Sequence, residues 1–364
     1  MSDPESKKRI ILHADMNYFF AQCEEREHPE IKGRPVVVCV YSGRGGDSGA
    51  VSTSNYEARK LGIKAGIPIS RAKKMVKDAV FLPVNMELYR SISDEVMEIL
   101  RGHCMTFEQE SVDEAFCEIT GMVPDYEEAR LLAVKIKEEI RKKVGLTCSV
   151  GVAPNKLVAK IASDFRKPDG LTVVKPDEIQ KFLAPLKITD IAGVGKKTGE
   201  RLNELGVRTI GELSMVSAEE LTREFGQAKG MWLKQASRGI DDSPVIEREG
   251  TEQIGRITTL KEDTKDVHII FSAIDELSED VYRKLIERKL GFKSISFVAI
   301  TSDFKTHSKT HTLSAPAKDL DTIRTEAREL ARAFLTENPA ALRRVGVKAA
   351  NLMEEKGQRT LGEF

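Results

Sequence analysis

The chain holds one tryptophan, aromatics at only 6%, and a formal net charge of zero from 57 basic and 57 acidic residues. The absent charge imbalance excludes a globally basic nucleic-acid binder, though not local basic faces. No run approaches the ~18 consecutive apolar residues that a membrane span needs. The opening residues, MSDPESKKR, give way to a short apolar run and then to acid, unlike a secretory leader. Five cysteines are scattered and odd in number, with no CxxC pair. That spacing argues against a zinc site or a disulfide framework, and predicts reduced thiols in a cytoplasmic protein. What is present is 40% hydrophobic and 31% charged residues over 364 positions. This suits soluble globular domains, roughly two to four of them.

The pattern divides the chain. Arg9–Ala14 (RIILHA) and Val36–Val40 read as buried strands, with the Gly/Ser stretch Tyr41–Gly49 as a loop. Met86–Cys104 and Tyr126–Val144 carry apolar residues at helical spacing, and Ala115–Ile119 and Leu146–Ala153 read as strands. Asn155–Phe165 reads as a helix followed by a turn at Lys167–Gly170. From Asp177 to Ile240, short helical segments punctuated by glycine predict a small helical domain. Asp241–Gln253 is polar, with Pro244 and Gly250, and reads as a linker. Ile254–Leu260, Val267–Leu290, Lys293–Ser302, Lys305–Leu313, Asp319–Leu335 and Arg343–Leu352 then give a strand–helix–strand–strand–helix–strand order, the split βαβ pattern.

Several clusters could carry chemistry. Asp15 ends one strand, and Asp113 and Glu114 open another. Buried carboxylates are costly unless they meet cations or hydrogen bonds. Three of them on two strands can hold two hard divalent ions, with magnesium favoured. The alternative makes Asp15 a helix cap near Asn17, and Asp113 and Glu114 ordinary turn residues. If a helix begins at Thr53, then Thr53, Tyr56 and Arg59 share a face and can converge on a triphosphate, unless this is only a solvated helix start. Lys167, before Pro168-Asp169-Gly170, is a point charge for phosphate. Gly193-Val194-Gly195-Lys196-Lys197 fits a helix-hairpin-helix turn, where glycines let the backbone approach phosphates, or else a plain glycine-rich connection. Finally, Gln358, Leu361 and Phe364 fit a Q-x-x-h-x-x-aromatic clamp-binding box, with Leu361 and Phe364 on one side of a helical turn. A chance match is the competing account.

Taken in order, HADMNYFFAQCE, AVSTSNYEARKLGIKAGIP, ESVDEAF, SVGVAPNKLVAKIASDFRKPDG and IAGVGKKT resemble the Y-family translesion DNA polymerases, and the DNA polymerase IV branch in particular. The resemblance covers about residues 9–350. It implies an α+β multidomain right-hand fold: palm at 1–20 and 87–174, fingers at 21–86, and a helix-hairpin-helix thumb at 175–240. After the linker at 241–253 come a βαββαβ little finger at 254–352 and a clamp-binding tail at 353–364. Asp15 and Asp113 match metal-binding carboxylates, Met16 a position whose carbonyl also ligates metal, and Glu114 the third carboxylate, often regarded as the active-site residue. Phe20 matches the steric gate against a ribose 2′-OH, and Thr53, Tyr56, Arg59 and Lys167 match residues that grip the triphosphate. Asn17 departs from the family, which commonly has Asp there.

The implied activity is template-directed, low-fidelity synthesis past damaged bases by nucleotidyl transfer from a dNTP to a primer 3′-OH, with two Mg²⁺. No further carboxylate cluster suggests a proofreading exonuclease. The implied partners are primer-template DNA, dNTP and a PCNA-type sliding clamp, for a cytoplasmic monomer without a membrane association. Gly193, Gly195, Lys196, Lys197 and Arg201 are the expected duplex contacts. Residues 251–350 carry 17 basic and 15 acidic residues, so DNA binding there needs an asymmetric face. The candidate basic groups are Arg283-Lys284, Arg288-Lys289-Lys293 and Arg343-Arg344-Lys348, with a solvated helix face as the alternative at 283–293. A silent DNA-binding scaffold and a nucleotidyl cyclase are the rival readings. The acidic trio opposes the first, and the hairpin and the last domain oppose the second.

Overall fold

The computed structural model describes residues 9–247 and 253–354. Its strands along the chain are β1 (Ile11–Met16), β2 (Val36–Tyr41), β3 (Gly49–Ser54), β4 (Val80–Pro83), β5 (Thr106–Gln109), β6 (Glu114–Glu118), β7 (Cys148–Ala153) and β8 (Leu171–Val173). The later ones are β9 (Gln253–Thr264), β10 (Leu290–Thr301), β11 (Thr306–Ala317), β12 (Leu342–Ala350) and the short β13 (Met353–Glu354). They form sheets of order β5-β6-β1-β7-β8, β3-β2-β4 and β11-β10-β12-β9. By density of contacts the chain separates into two compact units. One comprises the chain through Val38, Thr53–Lys64 and 78–247; the other comprises Cys39–Ser52, Ala65–Lys77 and 253–354.

In the first unit β1 is central and antiparallel to both β6 and β7. It is buried along its whole length, His13 and Asp15 included. Leu12, Ala14 and Met16 enter a core with the helices Met86–Arg101 and Tyr126–Val144. Ile11 joins a second core beneath the helix Lys156–Phe165. Gly151 allows that helix to lie close, since a Cβ there would stand 2.0 Å from the Ala159 carbonyl oxygen. Asn155 caps the helix by accepting from the Val158 N–H at 2.9 Å.

The segment from Ile179 to Ser237 is a set of short helices around Leu202, Ile210, Leu213, Leu221 and Leu233. Residues 241–247, read above as the start of a linker, are held instead. Asp241 caps the Leu157 N–H at 2.9 Å, Val245 is buried, and the Ile246 N–H reaches Glu108 at 3.2 Å. In the second unit, β9–β12 form an antiparallel sheet with the helices Val267–Glu287 and Leu320–Glu337 sharing its core.

Two departures from the sequence reading have simple causes. The strands β3, β4, β5 and β8 are short and half-polar, so periodicity did not distinguish them from loops. Cys104 and Cys117 form a disulfide with Cα atoms 5.2 Å apart, against the expectation of separate thiols. Antiparallel pairing of β5 with β6 folds the chain back and brings the two together, which linear spacing does not reveal. Cys23, Cys39 and Cys148 are buried and take no part in that disulfide.

Candidate active site

The first unit gathers the acidic trio. Asp15 is on the strand, not at a helix cap: the next helix, Phe19–Glu27, begins behind Tyr18 without a side-chain cap. In the sheet Asp15 stands directly opposite Glu114. The Met16 N–H donates to the Asp113 carbonyl at 3.0 Å, tying the end of β1 to the turn that carries Asp113. Burial pushes the Asp15 carboxyl up, to about 7, against the pull of Lys167, and the Glu114 charge pushes in the same direction as burial. Asp113 is likewise raised, by burial first, with Ser111 and Lys167 opposing and Glu114 adding to the rise. Crowded, half-desolvated carboxylates favour a cation, and two ammonium groups supply charge here. Lys167 Nζ lies 2.6 Å from Asp15 Oδ2 and 2.6 Å from Asp164 Oδ1. Lys160 bridges Glu110, at 2.8 Å, and Glu114. The donor set is all oxygen around Asp15, Asp113 and Glu114, so these residues fit hard divalent ions.

Asn17 does not face this cluster as a ligand. It is buried, its amide donates to Thr147 Oγ1 at 2.9 Å, and its oxygen accepts from Ser149 at 2.9 Å. A neutral amide satisfies both neighbours, where a carboxylate would have no proton to donate.

Tyr18 adopts a left-handed backbone (φ 37°), which turns the chain sharply from β1 into the helix bearing Phe20. Phe20 stacks on Tyr89, with centroids 4.4 Å apart and planes at 14°. Tyr89 is itself fully buried, and its hydroxyl donates to Glu24 at 2.5 Å. The Phe20 ring is therefore backed by an immobile floor.

The expectation that Thr53, Tyr56 and Arg59 share one helical face is corrected. Thr53 lies on β3, and the helix is Tyr56–Lys60, capped by Asn55. Only Tyr56 and Arg59 are a turn apart. Arg59 sits over the Tyr56 ring at 5.1 Å and donates to the Ser54 carbonyl at 2.9 Å. Tyr18 meets the same ring edge-on at 5.0 Å. Burial raises the Tyr56 phenol, with Arg59, Lys167 and Asp15 all within electrostatic reach. Tyr56, Lys167 and Asp15 are thus electrostatic neighbours. Asn55 was not singled out in the sequence, yet it anchors this wall. Its oxygen accepts from Val36 and Ala58, each at 3.0 Å, and its amide donates to Glu25 and the Arg34 carbonyl, each at 2.7 Å.

The hairpin lies elsewhere in this unit. Gly193 takes a positive φ of 96°, and a Cβ there would press on Trp232 at 3.1 Å. Gly195 precedes the helix Lys196–Glu204, whose first turn presents its N–H groups. Lys196 is well exposed, with Glu200 3.7 Å away. Arg201 is committed to Glu204, at 2.8 Å, and to Glu224. In the second unit, Arg283 and Lys284 pair with Asp280 and Glu287 on their own helix. Arg344 and Lys348 alternate with the core residues Val345, Val347 and Ala349 of β12 and so belong to the opposite face of the sheet. Gln358, Leu361 and Phe364 lie outside the described residues. Among those described, no helix is long and apolar enough to cross a membrane.

Comparison with known proteins agrees with this arrangement. Residues 14–164 match the impB/mucB/samB family, 251–362 its C-terminal domain, and 189–241 a thumb domain described for DNA polymerase iota. A DNA polymerase IV of Methanosarcina acetivorans is 48% identical over 98% of this chain and 100% of its own. One from Nitrosopumilus maritimus is 44% identical, covering 98% and 99%. Among solved structures, a Y-family polymerase chimera of Dbh and Dpo4 superposes with a TM-score of 0.90 at 38% identity, over 95% of this chain and 99% of that one. An insertion ternary complex of Dbh DNA polymerase gives 0.70 at 38% identity, with the same coverage. The sheets, the helical hairpin segment and the split βαβ unit are accordingly palm, fingers, thumb and little finger. The chain belongs to the Y family of DNA-directed DNA polymerases, the family of the DNA polymerase IV enzymes.

Proposed function

We propose that the chain performs translesion synthesis, extending a primer past damaged template bases at low fidelity and without proofreading. The convergence of Asp15, Asp113 and Glu114 at the end of β1, beside Lys167 and Tyr56, is the observation that carries this reading. Asp15, Asp113, Glu114 and the Met16 carbonyl are the groups that would hold two magnesium ions. Ions bound there lower the pKa of a primer 3′-hydroxyl and offset charge on the departing pyrophosphate. Lys167 exchanges its contact with Asp15 for the triphosphate, and Tyr56, Arg59 and Thr53 hold that triphosphate in line. Phe20, fixed on Tyr89, fills the space a ribose 2′-OH needs.

Gly193, Gly195, Lys196 and Lys197 grip duplex phosphates through the hairpin and the helix N-terminus, and such contacts carry no sequence information. Arg201 contributes less than its sequence position suggests, because its charge is already paired. The domain boundaries follow the palm, fingers, thumb and little-finger division given above, with 241–247 laid against the palm. The tail at Gln358, Leu361 and Phe364 binds a PCNA-type sliding clamp, and the protein works in the cytoplasm as a monomer.

Primer extension across an abasic site, with magnesium and all four dNTPs, tests the bypass reading. Synthesis beyond the lesion is expected; extension that copies undamaged template but halts one base before every lesion tested would contradict it. Deleting residues 358–364 tests the tail. Clamp stimulation should vanish while unassisted extension is unchanged, and full clamp affinity after the deletion would place the contact elsewhere.

A further inference from the structure

His13 lies on the face of β1 that also carries Asp15, beneath the Lys156–Phe165 helix, and the polymerase reading gives it no task. It is fully buried. The Ser163 hydroxyl donates to the Lys160 carbonyl at 2.8 Å, so its proton is already committed. With the proton so placed, Ser163 Oγ accepts the 2.8 Å hydrogen bond from His13 Nδ1–H. In that arrangement Nε2 of the neutral ring carries the lone pair.

Among the described residues Nε2 has no hydrogen-bond partner within normal range. It points at two carboxylates, 3.7 Å from Glu110 Oε2 and 3.8 Å from Glu114 Oε2. Three electron-rich atoms of three residues, all within 4.8 Å of one another, therefore face a common point. Lys160 answers the two oxygens with its ammonium, leaving the nitrogen unmatched.

We propose that His13, Glu110 and Glu114 form a further divalent-cation site, selective for a borderline ion such as Zn²⁺, which the Lys160 ammonium keeps closed in this structure. Ligand atoms around a tetrahedral zinc stand roughly 3.3 Å apart, so the two distances from Nε2, 3.7 and 3.8 Å, need only a small contraction, and the two carboxylates close further once Lys160 withdraws. An imidazole with two carboxylates suits zinc, whereas magnesium prefers oxygen alone. The Ser163 contact on Nδ1 is the orienting hydrogen bond that ligating histidines characteristically have. A cavity of about 290 Å³, lined by Glu110, Lys160, Lys156 and Asp241, gives an ion access and gives Lys160 room to withdraw. Glu114 is common to this site and the polymerase site. Filling the new one draws Glu114 away and inhibits extension, a consequence that rests on the polymerase reading above.

Calorimetric titration of the full-length protein with zinc chloride, in excess magnesium and without DNA, tests the site. Glu110→Gln, at a half-exposed position that tolerates the change, should weaken zinc binding about tenfold or more. Lys160→Met removes the resident ammonium and should tighten it by a similar factor. Cobalt(II) should give a visible absorption band in the native protein that Glu110→Gln abolishes. Thermal melts of both variants verify folding, and zinc should raise the melting temperature of Lys160→Met more than that of the native chain. A zinc isotherm indifferent to Glu110→Gln, or not tightened by Lys160→Met, overturns the proposal. Because neither variant replaces Asp15, Asp113 or Glu114 and the titration reads metal binding and no catalysis, that failure leaves the polymerase reading standing.

Discussion

Replacing Asn55 with alanine isolates the joint between the sheet and the triphosphate-facing helix. The side chain is buried and makes four hydrogen bonds, two through its oxygen and two through its amide. Loss of the helix cap at Ala58 costs about 1 kcal/mol. The Val36 N–H and the buried Glu25 carboxylate each lose a partner, costing roughly 1–3 kcal/mol apiece. The total is roughly 3–5 kcal/mol, because water entering the gap recovers part of it. Such a loss is a large part of a domain's stability. The assay is urea denaturation followed by tryptophan fluorescence and circular dichroism, paired with dNTP kinetics. The structure predicts an early transition and a raised KM for dNTP, since Tyr56 and Arg59 begin at this cap. Asn55→Asp keeps the cap oxygen but sets a second carboxylate beside Glu25, and should be nearly as damaging. A shift below about 1 kcal/mol in Asn55→Ala would refute the reasoning that this network is held by its buried polar groups.

Phe20→Ala should raise ribonucleotide use sharply with little change for dNTPs; an unchanged ratio of kcat/KM between dNTP and rNTP would remove the gate assignment. The same variant loses the stack on Tyr89, worth about 1 kcal/mol, so a modest fall in melting temperature should accompany it. Replacing Lys196 and Lys197 together with alanine should flatten the salt dependence of duplex binding, by roughly 2 in the log–log slope if each contacts a phosphate. Arg201→Ala should leave that slope nearly unchanged, because the guanidinium is paired with Glu204 and Glu224.

Long elements were legible in the sequence because their apolar periodicity matches the packing. Tyr126–Val144 is a helix over those residues, and the last four residues of the run RIILHA open the buried central strand, which runs on to Met16. Asp15, Asp113 and Glu114 stood out as candidates because they sit at strand ends, where a carboxylate interrupts an apolar run, although a helix cap and ordinary turn residues give the same pattern. What stayed hidden depends on contacts far apart in sequence. His13 looked like one more residue of a buried strand, and its meaning comes from Ser163, 150 residues away. Asn55 caps a short helix, and nothing local in the sequence reveals that it also holds Val36, Arg34 and Glu25. Thr53 was misplaced onto a helix because Asn55, not Thr53, sets the helix start. Lys160 follows Lys156 by four residues, a helical spacing that puts both on one face, but only the fold shows that this face lies over Glu108, Glu110 and Glu114.

The central claim is that Asp15, Asp113 and Glu114 act together on the reacting phosphate. Asp113→Ala tests it most directly, with single-nucleotide extension and primer-template affinity measured on the same preparation. Asp113 is half-buried and, among the described residues, its side chain is hydrogen-bonded to the neighbouring Ser111, so the fold should survive. The account predicts that extension with magnesium falls at least about a thousandfold, the scale expected when a preorganised electrostatic group is removed. DNA affinity should stay within a few-fold of the native value. Near-native extension by Asp113→Ala, on protein shown to be folded, would contradict it.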